Sequence, residues 1–372
     1  MTASLILLHL ALGFAAWVIS NRLTELSIRW AAKADAVATP DHRTSHTGRI
    51  PRLGGIGPVF AILLVFGAVW AFFPKIQGML QLFTIDVLPW QHGAFLVSLG
   101  LGGFLLGLLD DLGRLGTLGK LAGQLALASL PFIFGVGLKT LEFPFAGSYV
   151  LHPVFGGVLA GLWIVALMNA YNFMDGINGL AGRALECFGY GLLLMSLNLA
   201  FRLEFSLLAA AMIGAAYGFL IHNLTTPART FMGDCGSQGL GAIMAGAALL
   251  VHANENGLPS PDPFLPFVLL TFPLLFDVGL TLIRRLLRGE NVLKPHREHL
   301  YQRYLKTQRE DHQMTLLFVS NFFYASVIIA ALSFRLSPGA EGFRFFLIGI
   351  SLGMMMYQWY WVLRREEQYQ KN

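Results

Sequence analysis

Long charge-free stretches set the pattern of the chain: residues 53–74, 87–109, 121–138, 205–228, 314–334 and 345–363 contain no Asp, Glu, Lys or Arg. Each has about the twenty residues a helix needs to cross the ~30 Å hydrocarbon layer of a bilayer. Soluble proteins have no use for so many. Together with the shorter apolar runs, the pattern predicts spans over about 3–21, 53–73, 93–109, 121–138, 152–170, 185–201, 206–222, 238–253, 264–284, 314–333 and 344–363. The expected fold class is therefore an all-α integral membrane protein, a polytopic bundle of about eleven helices. Ten is the count if one of the short or proline-containing segments fails to cross. The first apolar run, 5–20, lacks a basic leading region and reads as a retained helix, not a cleaved signal. No linker, repeat or low-complexity segment divides the chain, so residues 1–372 are expected to form a single domain.

Composition agrees. Hydrophobic residues make up 55% and charged residues 13%, about half the charged fraction of soluble domains, and mean hydropathy is +0.60. The two cysteines, Cys187 and Cys235, fit neither a disulfide framework nor a CxxC metal site, which leaves helix packing. Charge placement adds an orientation. Of 26 Lys and Arg residues, 21 follow odd-numbered spans; only Lys75, Lys139, Arg202, Arg335 and Arg344 fall on the other side. Basic loops stay in the cytoplasm, so the N-terminus is expected in the periplasm.

The polar clusters nearly all lie on the basic side. Asp110 and Asp111 close the third span in "GLLDDLGRLGTLGK". Two carboxylates at a negative helix end repel each other and the helix dipole. They are either a solvated pair at the water boundary or a metal-assisted or general-base site, with Lys120 near enough to hold phosphate. "NAYNFMDGINGLAG" follows the fifth span and places Asn169, Asn172, Asp175 and Asn178 at every third residue. Gly176 and Gly179 break the helix there, so the later members belong to a loop. Amides both donate and accept, which suits a nucleobase, a ribose or a metal-bound phosphate; helix capping would use one or two of the four.

"ARTFMGDCGSQGLG" opens the eighth span, with Asp234 between glycines that allow close backbone approach. Asp234 is either an N-cap or a ligand-binding acid, and Ser237 with the free N–H groups of the helix start could receive an anion. The most basic loop, 284–306, gathers His296, Arg297, His299 and Arg303 after Pro295. It is a lipid-headgroup patch or a diphosphate grip in which Arg297 binds two oxygens at once. No Cys or carboxylate pair completes a zinc site around its histidines. His42, Arg43, His46, Arg49 and Arg52 make the first loop basic as well. Asp277, inside the ninth span, has Thr281 and Arg284 within one or two turns as structural partners.

"PRLGG" at 51–55, the Asp110–Asp111 pair with Lys120, "NAYNFMDGINGLAG", "FMGDCGS" and the His/Arg loop occur in that order on one face. Over about residues 40–305 this set resembles the polyprenyl-phosphate N-acetylhexosamine-1-phosphate transferases. Their bacterial members start O-antigen, teichoic acid and peptidoglycan lipid intermediates. The resemblance implies transfer of a HexNAc 1-phosphate from a UDP-sugar to undecaprenyl phosphate, with release of UMP. It implies Mg²⁺, with Mn²⁺ as a substitute, at the cytoplasmic face of a bacterial inner membrane, with no nucleic-acid partner and room for a homodimer. Carried over by position, Asn172 and Asp234 match metal ligands, and Asp110, Asp111 and Lys120 match the catalytic group. His46, Asn169, Asp175, Asn178, His296, Arg297 and His299 fall among substrate-binding positions.

Two departures stand out. Bacterial members commonly have aspartate at the position of Asn178, which removes an acid–base role there. "HREHLYQR" is more similar to the branch that handles 6-deoxy sugars, so UDP-N-acetylfucosamine and UDP-N-acetylquinovosamine join UDP-GlcNAc as expected donors. The alternative of another class, a transporter or flippase, would place ionisable groups near the midplane and pair broken helices in two halves; the sequence shows neither.

Overall fold

The computed structural model describes residues 3–38, 49–79, 88–143, 147–197, 203–254, 263–292, 296–309, 311–336 and 340–371. The expected helices are present. α1 (Ala3–Lys33), α2 (Ile56–Met79), α3 (Trp90–Asp111), α4 (Thr117–Ala128), α5 (Leu130–Phe134), α6 (Pro153–Phe173) and α7 (Leu180–Ser196) form the first part of the bundle. α8 (Leu203–Asn223), α9 (Gly233–Ala253), α10 (Leu265–Leu270), α11 (Phe272–Leu287), α12 (Leu300–Thr307), α13 (His312–Arg335) and α14 (Glu341–Lys371) complete it. Two antiparallel hairpins, β1 (Val37–Ala38) with β2 (Ile50–Pro51) and β3 (Thr140–Phe143) with β4 (Gly147–Val150), sit in loops.

Among the described residues, eight stretches, with α4 and α5 counted as one, are long and apolar enough to cross a membrane, against about eleven expected; a shorter apolar helix, Ile56–Phe72, joins them. Two expected spans are broken instead of straight. The stretch 121–138 divides at Ser129 into α4 and α5, and 264–284 divides at Thr271 into α10 and α11. Pro131 and Pro273 follow each break. A proline offers no N–H to the carbonyl four residues back, so the helix ladder is interrupted there.

Small residues decide how closely the helices pack, as membrane bundles require where lipid is as apolar as the side chains. α9 is the central helix: all of its apolar stretch is buried, against 11% for α1 and 33% for α14. A Cβ on Gly103 of α3 would lie 2.7 Å from the Gln238 carbonyl oxygen of α9, and one on Gly107 would lie 2.0 Å from that of Asp234. α1 and α8 meet the same way at Gly13 and Gly214, reinforced by Ser20 donating to the Ala215 carbonyl at 2.7 Å.

Contacts between loops define the two ends of the bundle. At one end the Gly54 and Gly55 amides donate to the Phe231 and Met232 carbonyls, bringing the start of α2 against the start of α9. At the other, Leu88 N–H donates to Glu204 and Lys139 N–H to His252. His46, expected at the site, lies outside the described residues.

If α1 and α8 are held at backbone contact, Gly214→Ala will lower the melting temperature in detergent. Its Cβ would sit 2.0 Å from the Gly13 carbonyl oxygen, and overpacking of this kind costs about 1–3 kcal/mol. Gly279→Ala, where a Cβ meets nothing within 4 Å, is expected to leave it unchanged or slightly raised.

Candidate functional site

The Gly107 contact has a direct chemical result. It lays the C-terminal turn of α3 beside the N-terminal turn of α9, so Asp110 and Asp111 face Asp234. α3 stops there because Gly113 turns left-handed (φ 67°), its N–H returning to the Asp110 carbonyl at 2.8 Å. α4 then returns Lys120 to the cluster. Its ammonium donates to Asp110 Oδ2 at 2.7 Å and to Asp234 Oδ2 at 2.5 Å.

The other oxygen of Asp234 accepts from Asn172 Nδ2 at 2.8 Å, and the same amide reaches Ser237 Oγ at 2.8 Å. Asp234 does not cap α9; the residue before the helix is Met232, without a side-chain cap. The first amides of α9 go to carboxylates: Gly233 N–H to Asp175 Oδ2 at 3.0 Å and Cys235 N–H to Asp111 Oδ2 at 2.8 Å. These carboxylates occupy two of the donors that the sequence offered to an anion. Gly233 is left-handed (φ 71°), and a Cβ there would lie 1.7 Å from the Arg52 carbonyl oxygen, so the "PRLGG" segment packs directly on this turn.

Four carboxyl groups thus share one bundle end with Lys120 and Arg52, whose Nε is 4.0 Å from Asp111 Oδ1. Asp111 is wholly enclosed and its Oδ1 accepts no hydrogen bond, whereas 24% of the Asp110 side chain is exposed. Desolvation, with the Asp234 and Asp111 charges, pushes the Asp175 carboxyl well above the usual range against the opposing Gly233 N–H. Oxygen and amide donors of this kind suit a hard divalent cation. Among the described residues no three His, Cys, Asp or Glu close into a ready-made metal cage.

The asparagine row divides as the glycines foretold. Asn172 is in the cluster and Asp175 in the following turn. Asn169 is one turn deeper, its amide exchanging hydrogen bonds with Gln124, which also donates to Gln238 at 3.0 Å. Asn178 fixes the loop: its backbone N–H donates to His312 and its side chain to the Thr225 carbonyl at 3.4 Å. Gln124 and Gln238 were not expected. Their signal was available one helical turn beyond Lys120 and Asp234, where the same faces continue downward.

The His/Arg loop packs on Phe173, the residue after Asn172. His299 is buried, its ring stacked 5.3 Å from Phe173, and His296 is 4.9 Å from it. Tyr301 closes the join by donating to the Phe173 carbonyl at 2.8 Å. Asp277 is a support: it accepts from Thr281 and from Leu300 N–H, while Arg284 turns to the face of Trp359. Arg285, buried, holds Glu298 at 2.5 Å. Arg303 leaves the loop's cluster altogether and binds Glu366 of α14.

Residues 94–252 match the model of glycosyl transferase family 4. The chain is 30% identical over 330 residues to a decaprenyl-phosphate N-acetylglucosaminephosphotransferase of Mycobacterium tuberculosis, covering 82% of this chain and 78% of the relative. It is 28% identical over 348 residues to an undecaprenyl-phosphate alpha-N-acetylglucosaminyl 1-phosphate transferase of Thermotoga maritima, covering 94% and 96%. The protein of that name in Escherichia coli K12 is 27% identical over 275 residues, covering 73% and 69%.

Burial, with the nearby Arg285 guanidinium adding to it, lowers the His296 pKa from 6.5 to about 4. The unfolded chain therefore binds the extra proton first as pH falls, and stability due to a neutral His296 is present above 6.5 and lost toward 4. Melting curves across that interval will show a smaller acid-induced decrease in His296→Gln than in the wild type.

Proposed function

The chain belongs to the polyprenyl-phosphate N-acetylhexosamine-1-phosphate transferases, and from that premise we propose that it moves a HexNAc 1-phosphate from a UDP-sugar to undecaprenyl phosphate, releasing UMP. One observation carries the assignment to this site: Asp110, Lys120, Asn172 and Asp234, from four helices, meet within hydrogen-bonding distance at one end of the bundle. The excess of basic loops at that end supports the cytoplasmic face of a bacterial inner membrane, where a soluble nucleotide and a lipid can both arrive.

In the proposed reaction, a lipid-phosphate oxygen forms a bond to the β-phosphorus of the UDP-sugar as the bond to UMP breaks. Asp110 is partly exposed and can orient or deprotonate the acceptor phosphate, whereas Asp111 is enclosed and holds the first turn of α9. Lys120 and Arg297 offset phosphate charge, and the His296–His299 segment contacts the diphosphate and sugar. The excess of carboxylates over cations supports Mg²⁺ binding by Asp234 and the Asn172 amide oxygen. When bound, the ion supplies charge neutralisation on the diphosphate. The His/Arg loop supports a 6-deoxy donor, and the relatives' names bring UDP-GlcNAc into the comparison.

The test is UMP release by purified protein with undecaprenyl phosphate, Mg²⁺ and each of UDP-GlcNAc, UDP-N-acetylfucosamine and UDP-N-acetylquinovosamine. Metal-dependent release with one donor is expected, reduced about a thousand-fold in Asp234→Ala. Release that is indifferent to metal, or an undiminished Asp234→Ala, would sink the assignment.

A further inference from the structure

We propose that Glu366, near the end of α14, is a positioning residue for donor binding: through Arg303 it holds α12, and α12 holds the His296–His299 segment against the site. The inference rests on the reading that this segment contacts the donor, and extends it to a helix far outside the matched residues 94–252.

α12 has only eight residues. Isolated helices shorter than about 12–15 residues are marginal in water, so its order comes from what it touches. Its inner face belongs to the site. Tyr301 donates to the Phe173 carbonyl, and its hydroxyl fills the place a Cβ on Gly176 would take, 2.0 Å away. Leu300 N–H donates to Asp277 at 2.8 Å.

The outer face meets α14, with α13 beside it. Arg303 Nε donates to Glu366 Oε1 at 2.9 Å and Oε2 at 3.0 Å, and Nη2 also donates to Oε2. The guanidinium lies 5.5 Å from the centre of the Trp359 ring, and the Tyr304 ring is 5.6 Å from that of Trp361 of α14 and stacks on Phe318 of α13 at 4.2 Å. The ion-paired side chains are 16% and 20% exposed. A shielded, two-oxygen pair is screened less by salt than an open surface pair and fixes geometry as well as energy. Trp359 and Val362 of α14 also pack on Leu300 and Tyr304, so loss of the Glu366 carboxylate loosens α12 without removing the helix that carried it.

The experiment uses the full chain in detergent and compares wild type, Glu366→Ala, Glu366→Gln and the exchanged pair Arg303→Glu with Glu366→Arg. Donor KM, acceptor KM, kcat, melting temperature and amide hydrogen exchange over residues 296–307 are measured for each. Glu366→Ala is expected to raise donor KM about ten-fold and speed exchange in that segment, with acceptor KM, kcat and melting temperature unchanged. Glu366→Gln moves both readouts less in the same direction, and the exchanged pair restores them. Unaltered exchange overturns the clamp. Faster exchange with an unaltered donor KM, or an equal rise for both substrates, overturns the role in donor binding. Faster exchange in a protein whose wild type transfers no sugar phosphate overturns the functional reading and the donor role with it, and leaves only the mechanical clamp.

Discussion

Everything at the site depends on two helices being allowed to touch. Gly107 of α3 lies against the Asp234 carbonyl, and even a methyl group in between would force the backbones apart. Separation would draw Asp110 away from the Lys120 that it shares with Asp234, and Asp111 away from the Cys235 amide. A soluble protein could seek such closeness through hydrophobic driving force; a bundle in lipid obtains it by removing side-chain bulk. The glycines of α3 and α9 are thus part of the chemistry, although none contributes a functional group.

Assembling several acids at one point brings a second constraint, their mutual repulsion. The chain answers it locally. Lys120 lies between two carboxylates, Arg52 approaches a third, and the first amides of α9 serve Asp111 and Asp175. The remaining imbalance is what a cationic or phosphate-bearing reaction partner would meet, and it is concentrated where loops from distant parts of the chain converge. The His/Arg segment packs beside it on Phe173, steadied from beneath by Asp277 and from one side by Arg285.

Much of this was legible before any coordinates. Uncharged runs located the helices because lipid admits little else, and the Asp pair, the Asn row and Asp234 stood out as polar groups that lipid would not otherwise tolerate. The end of α6 just past Asn172, at Phe173, was readable from Gly176 and Gly179. Other features were hidden because their meaning lies in the partner. Asn169 looks like Asn172 in sequence, yet it pairs with Gln124 from another helix. Arg303 looks like a fourth member of the basic loop, but its acid lies 63 positions away. Pro131 and Pro273 were visible, but whether a proline bends or divides a span depends on the neighbours that receive the freed carbonyls.

The row of amides under the site, Asn169, Gln124 and Gln238, has a consequence for the membrane itself. A pocket of acids opening on one side of a bilayer is a hazard, since a file of groups that gain and lose protons could short-circuit the gradient across it. Carboxylates and imidazoles can relay protons; carboxamides keep theirs. One turn below Lys120 and Asp234, the described side chains Gln124, Gln238 and Asn169 are carboxamides hydrogen-bonded to one another. A floor of this kind supports the acids above it without offering a titratable group of its own.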